Sequence, residues 1–159
     1  EAYFRKLVAD GKLSEAVKFV GLALPRYEGI VWAVQSLLSQ DAMPRTSPLV
    51  TTALRWIDDP DDGLWRNVYA LASKERKLTP ARLIGEAIFF SGGTISEPDL
   101  PPVLPAPEMS GHMVGYAVIV AGHQSDKAAD LYRTALAAGE KFAEQGHAAS
   151  LCEMWFPST

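Results

Sequence analysis

A proline-rich segment, residues 91–111, interrupts a chain whose other segments have the apolar spacing of helices. The segment begins near the pair Gly92-Gly93 and carries five prolines between Pro98 and Pro107. Non-helical connections of this length are uncommon inside compact domains, and they are usually functional or disordered. We call this segment the strap. It is the first place to look for a function, because no catalytic signature occurs elsewhere in the sequence.

The segments on both sides of the strap predict an all-α fold. Apolar residues recur at helical spacing from residue 2 to residue 90 and again after the strap, and no segment alternates with the period of a β-strand. We expect a compact bundle of six to seven helices, with the strap as an ordered loop between the fifth and sixth main helices. With 159 residues, 48% of them hydrophobic and 21% charged, the chain fits a single helical domain over residues 1–159.

Capping residues and glycines predict where the helices begin, end and approach one another. Thr79-Pro80 combines a side-chain N-cap with proline at the first helical position. Ser14 and Ser110 are also predicted N-caps. Gly139 is a poor helix former, so we expect the last helix to end early. Three other glycines are expected where a neighbouring backbone comes close: Gly111, Gly115 and Gly122.

Two of the predicted helices contain a long stretch without charge. No charged residue occurs between Gly29 and Gln40, or between Met113 and Gly122. A helix that is uncharged all round is normally buried on more than one side, so we expect both helices to be central. Trp32 projects away from the main apolar face of its helix. It either packs under a neighbouring helix or is an exposed contact residue.

Each cluster of reactive residues fails as a catalytic or metal site. The aspartates between Asp58 and Asp62 lack the ligand pattern of a calcium-binding loop and indicate a capped turn before the next helix. Each histidine has a single carboxylate at helical spacing, which falls short of a metal site. No G-x-S-x-G elbow surrounds Ser91, and no local signature connects Cys152 to a general base. We therefore expect no catalytic residue, no metal and no cofactor.

Composition narrows the choice of partner and compartment. The net charge of −4, and the lack of a basic run with interleaved aromatics, argue against nucleic acid. No apolar run reaches the roughly 20 residues that span a bilayer. The expected partner is therefore another protein or a second copy of this chain. We expect a cytoplasmic location, and a periplasmic one stays open because the sequence begins at Glu1 rather than at methionine.

Two features remain as binding candidates. Proline-rich segments favour extended polyproline II, which costs little to order and serves as a ligand. Leu100, Val103 and Leu104 would hold the strap on a partner, or alternatively pack it on its own core. The apolar tail, residues 146–159, either docks back on the domain or inserts into a partner. The candidate binding residues are Trp32, Gly92, Gly93, Asp99, Leu100, Pro101, Pro102, Val103 and Trp155.

Three phrases of the sequence resemble one family. They are KLSEAV at 12–17 leading to LPR at 24–26, IVWA at 30–33, and FFSGG at 89–93 followed by PDLPPV at 98–103. Together they resemble an all-helical family of unknown function from Gram-negative bacteria, with the strap motif F-[FW]-S-G-G-x(4)-P-D-L-P-P-V. The resemblance implies a bacterial all-α protein of one domain and an association with type VI secretion loci.

The sequence departs from the pattern of that family at four positions. Gly29 replaces an alanine, Val31 and Phe90 replace tryptophans, and Leu104 interrupts the last prolines of the strap. The family has no assigned catalytic residues, so the resemblance implies no role for any residue of this chain.

The leading hypothesis is a non-enzymatic protein–protein interaction or scaffold module, such as an accessory protein of a bacterial secretion system. The alternative is a small-molecule-binding or enzymatic helical domain with a pocket under the strap. In that case Ser91, His112, Glu108 or Glu86 would supply the polar groups of the pocket. A third hypothesis makes the strap purely architectural, with a homodimer interface as the working surface.

Overall fold

A computed structural model describes residues 1–145. Within this range the chain forms eight α-helices and no β-strand, which confirms the predicted all-α fold. The helices are α1 (Ala2–Ala9), α2 (Leu13–Ala23), α3 (Arg26–Ser39), α4 (Pro48–Asp58), α5 (Asp62–Ala72), α6 (Pro80–Phe89), α7 (Met109–His123) and α8 (Ala128–Gln145). Buried side chains from all eight form one hydrophobic cluster, and the strap connects α6 to α7.

The helix count exceeds the predicted six to seven because α1 and α2 are separate helices. Gly11 adopts a left-handed φ of +73° directly after α1. Its N–H donates to the Val8 carbonyl at 3.1 Å, and the Lys12 N–H donates to the Leu7 carbonyl at 2.9 Å. These two bonds form a Schellman motif, which satisfies the last carbonyls of α1 and turns the chain into α2.

The two uncharged helices are central, as predicted. α7 packs against α2, α3, α6 and α8, and α3 also packs against α2, α6 and α8. Most residues of both helices are buried, on more than one side of each. The uncharged stretches therefore lie in helices that are buried against several neighbours. Among the described helices, none is both long enough and apolar enough to cross a bilayer.

α2 and α7 approach each other through glycine backbones. A Cβ atom added to Gly21 would lie 2.7 Å from the Gly111 carbonyl oxygen, and one added to Gly111 would lie 2.7 Å from the Gly21 carbonyl oxygen. At Gly115 the nearest atom would be Lys18 Cα at 3.3 Å. The prediction of a close backbone is thus confirmed for Gly111 and Gly115. At Gly122 it is wrong, because the Tyr132 ring fills the space there.

Trp32 is a core residue. Its side chain is 0% exposed, and its indole Nε1–H donates to the Ala135 carbonyl of α8 at 2.8 Å. The interpretation of Trp32 as packing under a neighbouring helix is confirmed. Its inclusion among the binding residues is wrong, because a side chain with no accessible surface cannot contact a partner.

Gly139 does not end α8, contrary to the prediction. The helix continues to Gln145, and Gly139 is buried against α2 and α3. A Cβ atom at this position would lie 2.8 Å from Val20 Cγ1 and 3.3 Å from Trp32 Nε1. Close packing on these two side chains therefore outweighs the poor helix propensity of glycine.

Of the predicted caps Ser14, Thr79 and Ser110, only Thr79 is confirmed. Thr79 Oγ1 accepts the Arg82 N–H at 3.1 Å and begins α6, as expected. Ser14 is not a cap, because α2 begins one residue earlier, at Leu13. Ser110 is the second residue of α7, and its buried hydroxyl instead donates to the Ala87 carbonyl of α6 at 3.0 Å. Ser110 therefore joins two helices rather than capping one.

Candidate interaction site at the strap

The strap begins with an arm that is held against the helices. In this inner arm, residues 91–96, two backbone carbonyls accept hydrogen bonds from arginines. Arg26 Nη1 on α3 donates to the Ser91 carbonyl at 3.0 Å, and Arg66 Nη2 on α5 donates to the Ser96 carbonyl at 3.3 Å. Both ends of the inner arm are thus attached to the helical body.

The outer arm of the strap, residues 101–104, folds back along the inner arm. The Ile95 N–H donates to the Val103 carbonyl at 2.8 Å, and the Val103 N–H donates to Thr94 Oγ1 at 2.8 Å. Two of the four outer-arm residues, Pro101 and Pro102, are prolines, which lack an N–H and cannot complete a regular β-ladder. The Thr94 hydroxyl takes the place of a backbone acceptor in this pairing.

A turn joins the two arms and closes the strap into a loop. The Leu100 N–H donates to the Glu97 carbonyl at 3.0 Å, with Pro98 at the second position of the turn, where its fixed φ is favourable. Across the base of the turn, Ser96 Oγ donates to the Pro101 carbonyl at 2.8 Å. The strap is therefore a closed, hydrogen-bonded loop and not one continuously extended segment, as a polyproline helix would be.

Three apolar side chains of the loop face solvent. Leu100 is 58% exposed, Val103 is 52% exposed and Leu104 is 75% exposed. We call these residues the tip patch. The alternative in which they pack the strap on its own core is wrong, because each keeps more than half of its surface in solvent. The helices instead hold the inner arm.

An aromatic cluster supports the base of the strap. The Phe89 ring stacks between Trp65 and Tyr69, with centroid distances of 4.7 Å and 3.9 Å. Trp65 Nε1–H donates to the carbonyls of Ile88 and Phe89, each at 3.0 Å. The indole thereby satisfies two carbonyls of the last turn of α6, which have no partner within that helix. The strap thus leaves α6 from a rigid point.

A cleft of about 200 Å³ lies beside this base. Its lining residues are Trp56, Pro60, Asp61, Asp62, Trp65, Ser91, Gly92 and Gly93. The Asp61 carboxylate accepts the N–H groups of Gly63 and Leu64 at 2.7 Å and 3.0 Å, which confirms that this acidic turn caps α5. The Tyr27 ring lies 5.9 Å from the ring of Trp56, which lines the cleft. Burial raises the pKa of Tyr27, whose hydroxyl donates to the Ile57 carbonyl at 2.5 Å.

The polar residues of the enzymatic alternative do not meet in this cleft. Of Ser91, Glu86, Glu108 and His112, only Ser91 lines it. The Ser91 hydroxyl donates to a backbone carbonyl at 2.6 Å, Glu86 pairs with Arg82 at 2.9 Å, and Glu108 and His112 are exposed near the start of α7. Over residues 1–145, no three His, Cys, Asp or Glu side chains converge as metal ligands do.

The other candidate residues from the sequence fall on one loop. Gly92, Gly93, Asp99, Leu100, Pro101, Pro102 and Val103 all belong to the strap, and Gly93 has a left-handed φ of +70°. Trp155 lies outside the described residues. The structure therefore groups the strap candidates and separates Trp32 from them.

Four residues that organise the strap were missed by the sequence analysis. Thr94 and Ser96 close the loop, and Arg26 and Arg66 attach it to the helices. Short hydroxyl side chains readily bond to nearby backbone groups, so the T-x-S pattern between the diglycine and Pro98 was a usable signal. The arginines gave no signal, because each lies on a helix far from the strap in sequence.

Comparison with known proteins identifies the family. The model of a family of unknown function, DUF6931, matches residues 3–143. The chain belongs to the DUF6931 family. The matched region contains the entire strap and stops short of the tail, so the loop described above lies within the family region. No curated protein and no solved structure matches the chain.

Replacing Thr94 with valine should loosen the strap of this DUF6931 protein without unfolding the helices. Valine keeps the shape of threonine but removes the oxygen that accepts the Val103 N–H. The same oxygen also donates to the Val103 carbonyl at 3.3 Å and bonds to Ser96. Losing a single such bond costs about 1 kcal/mol, so we expect at least about fivefold faster hydrogen exchange at the Val103 amide. Thr134→Val is the matched control, because Thr134 is exposed and its Oγ1 donates to the Asp130 carbonyl within the same helix, α8. Unchanged exchange at Val103 would contradict the described loop closure.

Proposed function

We propose that this DUF6931 protein is a non-enzymatic protein–protein interaction module and that the tip patch is its contact surface. The observation that carries the proposal is the exposure of Leu100, Val103 and Leu104 on a loop that is closed by its own hydrogen bonds. Several exposed apolar side chains on one short loop are a feature of interaction sites. Single exposed apolar residues elsewhere on the helices need no such explanation.

The closed loop lowers the cost of binding. A flexible segment loses conformational entropy when a partner orders it, and that loss subtracts from the affinity. Here the turn at Glu97–Leu100 and the bonds of Thr94 and Ser96 order the backbone before a partner arrives. Prolines next to the tip patch restrict it further, because their φ angles are already fixed.

The charge of the strap indicates the chemistry of its partner. Glu97, Asp99 and Glu108 are exposed, and the strap contains no lysine or arginine. A partner surface that complements it has an apolar cleft for the tip patch and a basic rim facing these carboxylates. Since the sequence resemblance connects this family with type VI secretion loci, proteins encoded at such loci are the first partners to test.

A pull-down with a polar strap variant tests the proposal. The variant Leu100→Ser/Val103→Ser/Leu104→Ser replaces only exposed side chains, so the helices should keep their stability. The control is Leu78→Ser, because Leu78 is 54% exposed but precedes α6, whereas the strap follows it. A ten-residue helix is about 15 Å long, which separates the two sites.

We expect the wild type and Leu78→Ser to recover the same specific partner. The triple variant should recover at least tenfold less of that partner, because a loss of about 1.4 kcal/mol of binding free energy weakens the affinity tenfold. If that partner is a second copy of this chain, mixed tags will reveal self-association through the strap. Equal recovery of every partner by the triple variant and by wild type would contradict the proposal.

A further inference from the structure

A second surface, far from the strap in sequence, lies where the described chain ends. A groove of about 430 Å³ runs between α1, α2 and the second half of α8. Apolar side chains from α1, from α2 and from the residue that follows α2 line it, namely Phe4, Phe19, Val20 and Leu24. α2 packs on both α1 and α8, so it forms the floor of the groove between them.

The two sides of the groove differ in polarity from its floor. Glu1 and Arg5 of α1 lie on one side, and Glu140 and Glu144 of α8 lie on the other. Phe4 and Val20 are buried in the floor, while Phe19 is only partly covered by the rings of neighbouring α1. An apolar floor between charged edges fits an amphipathic segment whose apolar side faces inward.

We propose that the tail, residues 146–159, docks in this groove of its own chain. Two residues of the last turn of α8, Ala143 and Glu144, line the groove, so the tail begins at its edge. Leu151 follows Gln145 by six residues, and such a segment reaches at most about 20 Å. The apolar part of the tail therefore starts within reach of the groove floor.

The sequence of the tail matches an apolar groove. Between Leu151 and Phe156 the only charged residue is Glu153, and the others are leucine, cysteine, methionine, tryptophan and phenylalanine.

Connection to α8 favours this occupant over any free partner. A short linker holds a tethered segment at an effective concentration in the millimolar range, without requiring a separate association step. The groove lies between α1, α2 and α8, whereas the strap contacts α3 and α5. The docked tail is therefore an inference independent of the proposed strap function.

Cys152 provides a direct probe, because it is the only cysteine of the chain and lies within the apolar part of the tail. The experiment measures the rate at which Cys152 of the full chain reacts with an aromatic disulfide reagent. We expect the native protein to react at least about tenfold more slowly than the chain in denaturant, as a docking equilibrium of ten to one requires.

Two exposed alanines of α8 supply the matched variants. Ala143→Arg places a charged side chain in the groove and should bring the Cys152 rate close to the denatured rate. Ala129→Arg makes the same change at the other end of α8, outside the groove, and should leave the protection intact. Because both positions are exposed, both variants should fold, which circular dichroism verifies.

Trp155→Ser in the tail gives the complementary test and should also raise the Cys152 rate. Three results would overturn the proposal. The first is a native Cys152 rate equal to the denatured rate. The second is protection that Ala143→Arg leaves unchanged. The third is loss of the Cys152 protection on dilution, accompanied by loss of a dimer peak in size-exclusion chromatography. That result would mean that the tail in the groove belongs to a second copy of the chain.

Discussion

Replacing Trp32 with alanine is expected to destabilise the protein by about 3–5 kcal/mol, the usual cost of deleting a large buried aromatic side chain. Trp32 is 0% exposed, and it connects α3 to α8 through its bond to the Ala135 carbonyl. The cavity would form where Gly139 and Val20 close around the indole, so backbone collapse can fill little of it. Urea denaturation of the wild type and the variant measures the difference.

Trp32→Phe separates the hydrogen bond from the packing. Phenylalanine keeps most of the apolar contact but removes the indole N–H, so we expect a loss of about 1–2 kcal/mol. A decrease in the free energy of unfolding of under about 1 kcal/mol for Trp32→Ala, the range typical of surface substitutions, would contradict the buried position of Trp32. Should Trp32→Ala not fold, Trp32→Phe still provides the measurement.

A second large effect is expected at the crossing of α2 and α7. Gly111→Ala places a Cβ atom 2.7 Å from the Gly21 carbonyl oxygen, which belongs to a backbone that cannot rotate away. The helices must separate, and overpacking of this kind typically costs about 1–3 kcal/mol. The higher helix propensity of alanine offsets up to about 1 kcal/mol of this cost. Thermal and urea unfolding measure the net effect.

Gly29→Ala is the matched control for this crossing. Gly29 is likewise a glycine within a helix, but a Cβ atom there would meet its nearest neighbour, Val114 Cγ2, at an ordinary 3.7 Å. The same substitution should therefore be neutral or stabilise the protein by up to about 1 kcal/mol through helix propensity. Equal effects at Gly29 and Gly111 would contradict the close approach of α2 and α7.

Local chemistry explains which parts of this fold could be predicted from sequence. The lack of charge around Trp32 and through 113–122 predicted two central helices, because burial on more than one side leaves few positions for charge. Thr79-Pro80 predicted the start of α6, because cap and helix are adjacent in sequence. Both inferences need only the residues of one helix.

Contacts between distant segments account for what the sequence did not predict. The sequence around Ser110 predicts a helix cap, but its hydroxyl bonds to Ala87 of α6. Gly139 is a poor helix former, but α8 continues through it because Val20 of α2 packs closely there. The strap is the strongest case, because a proline-rich sequence predicts an extended segment, whereas Thr94 pairs with Val103 across the loop. No rule based on the spacing of residues in the sequence predicts that pairing.

The central claim, that the tip patch contacts a partner protein, is tested most directly by photo-crosslinking in cells that express the protein natively. A photoreactive phenylalanine analogue replaces Leu104 in one strain and Leu78 in another, since both leucines are more than half exposed. The account predicts a discrete crosslinked adduct from position 104 and none of that mass from position 78. An adduct of the same mass from both positions, or none from position 104, would contradict it.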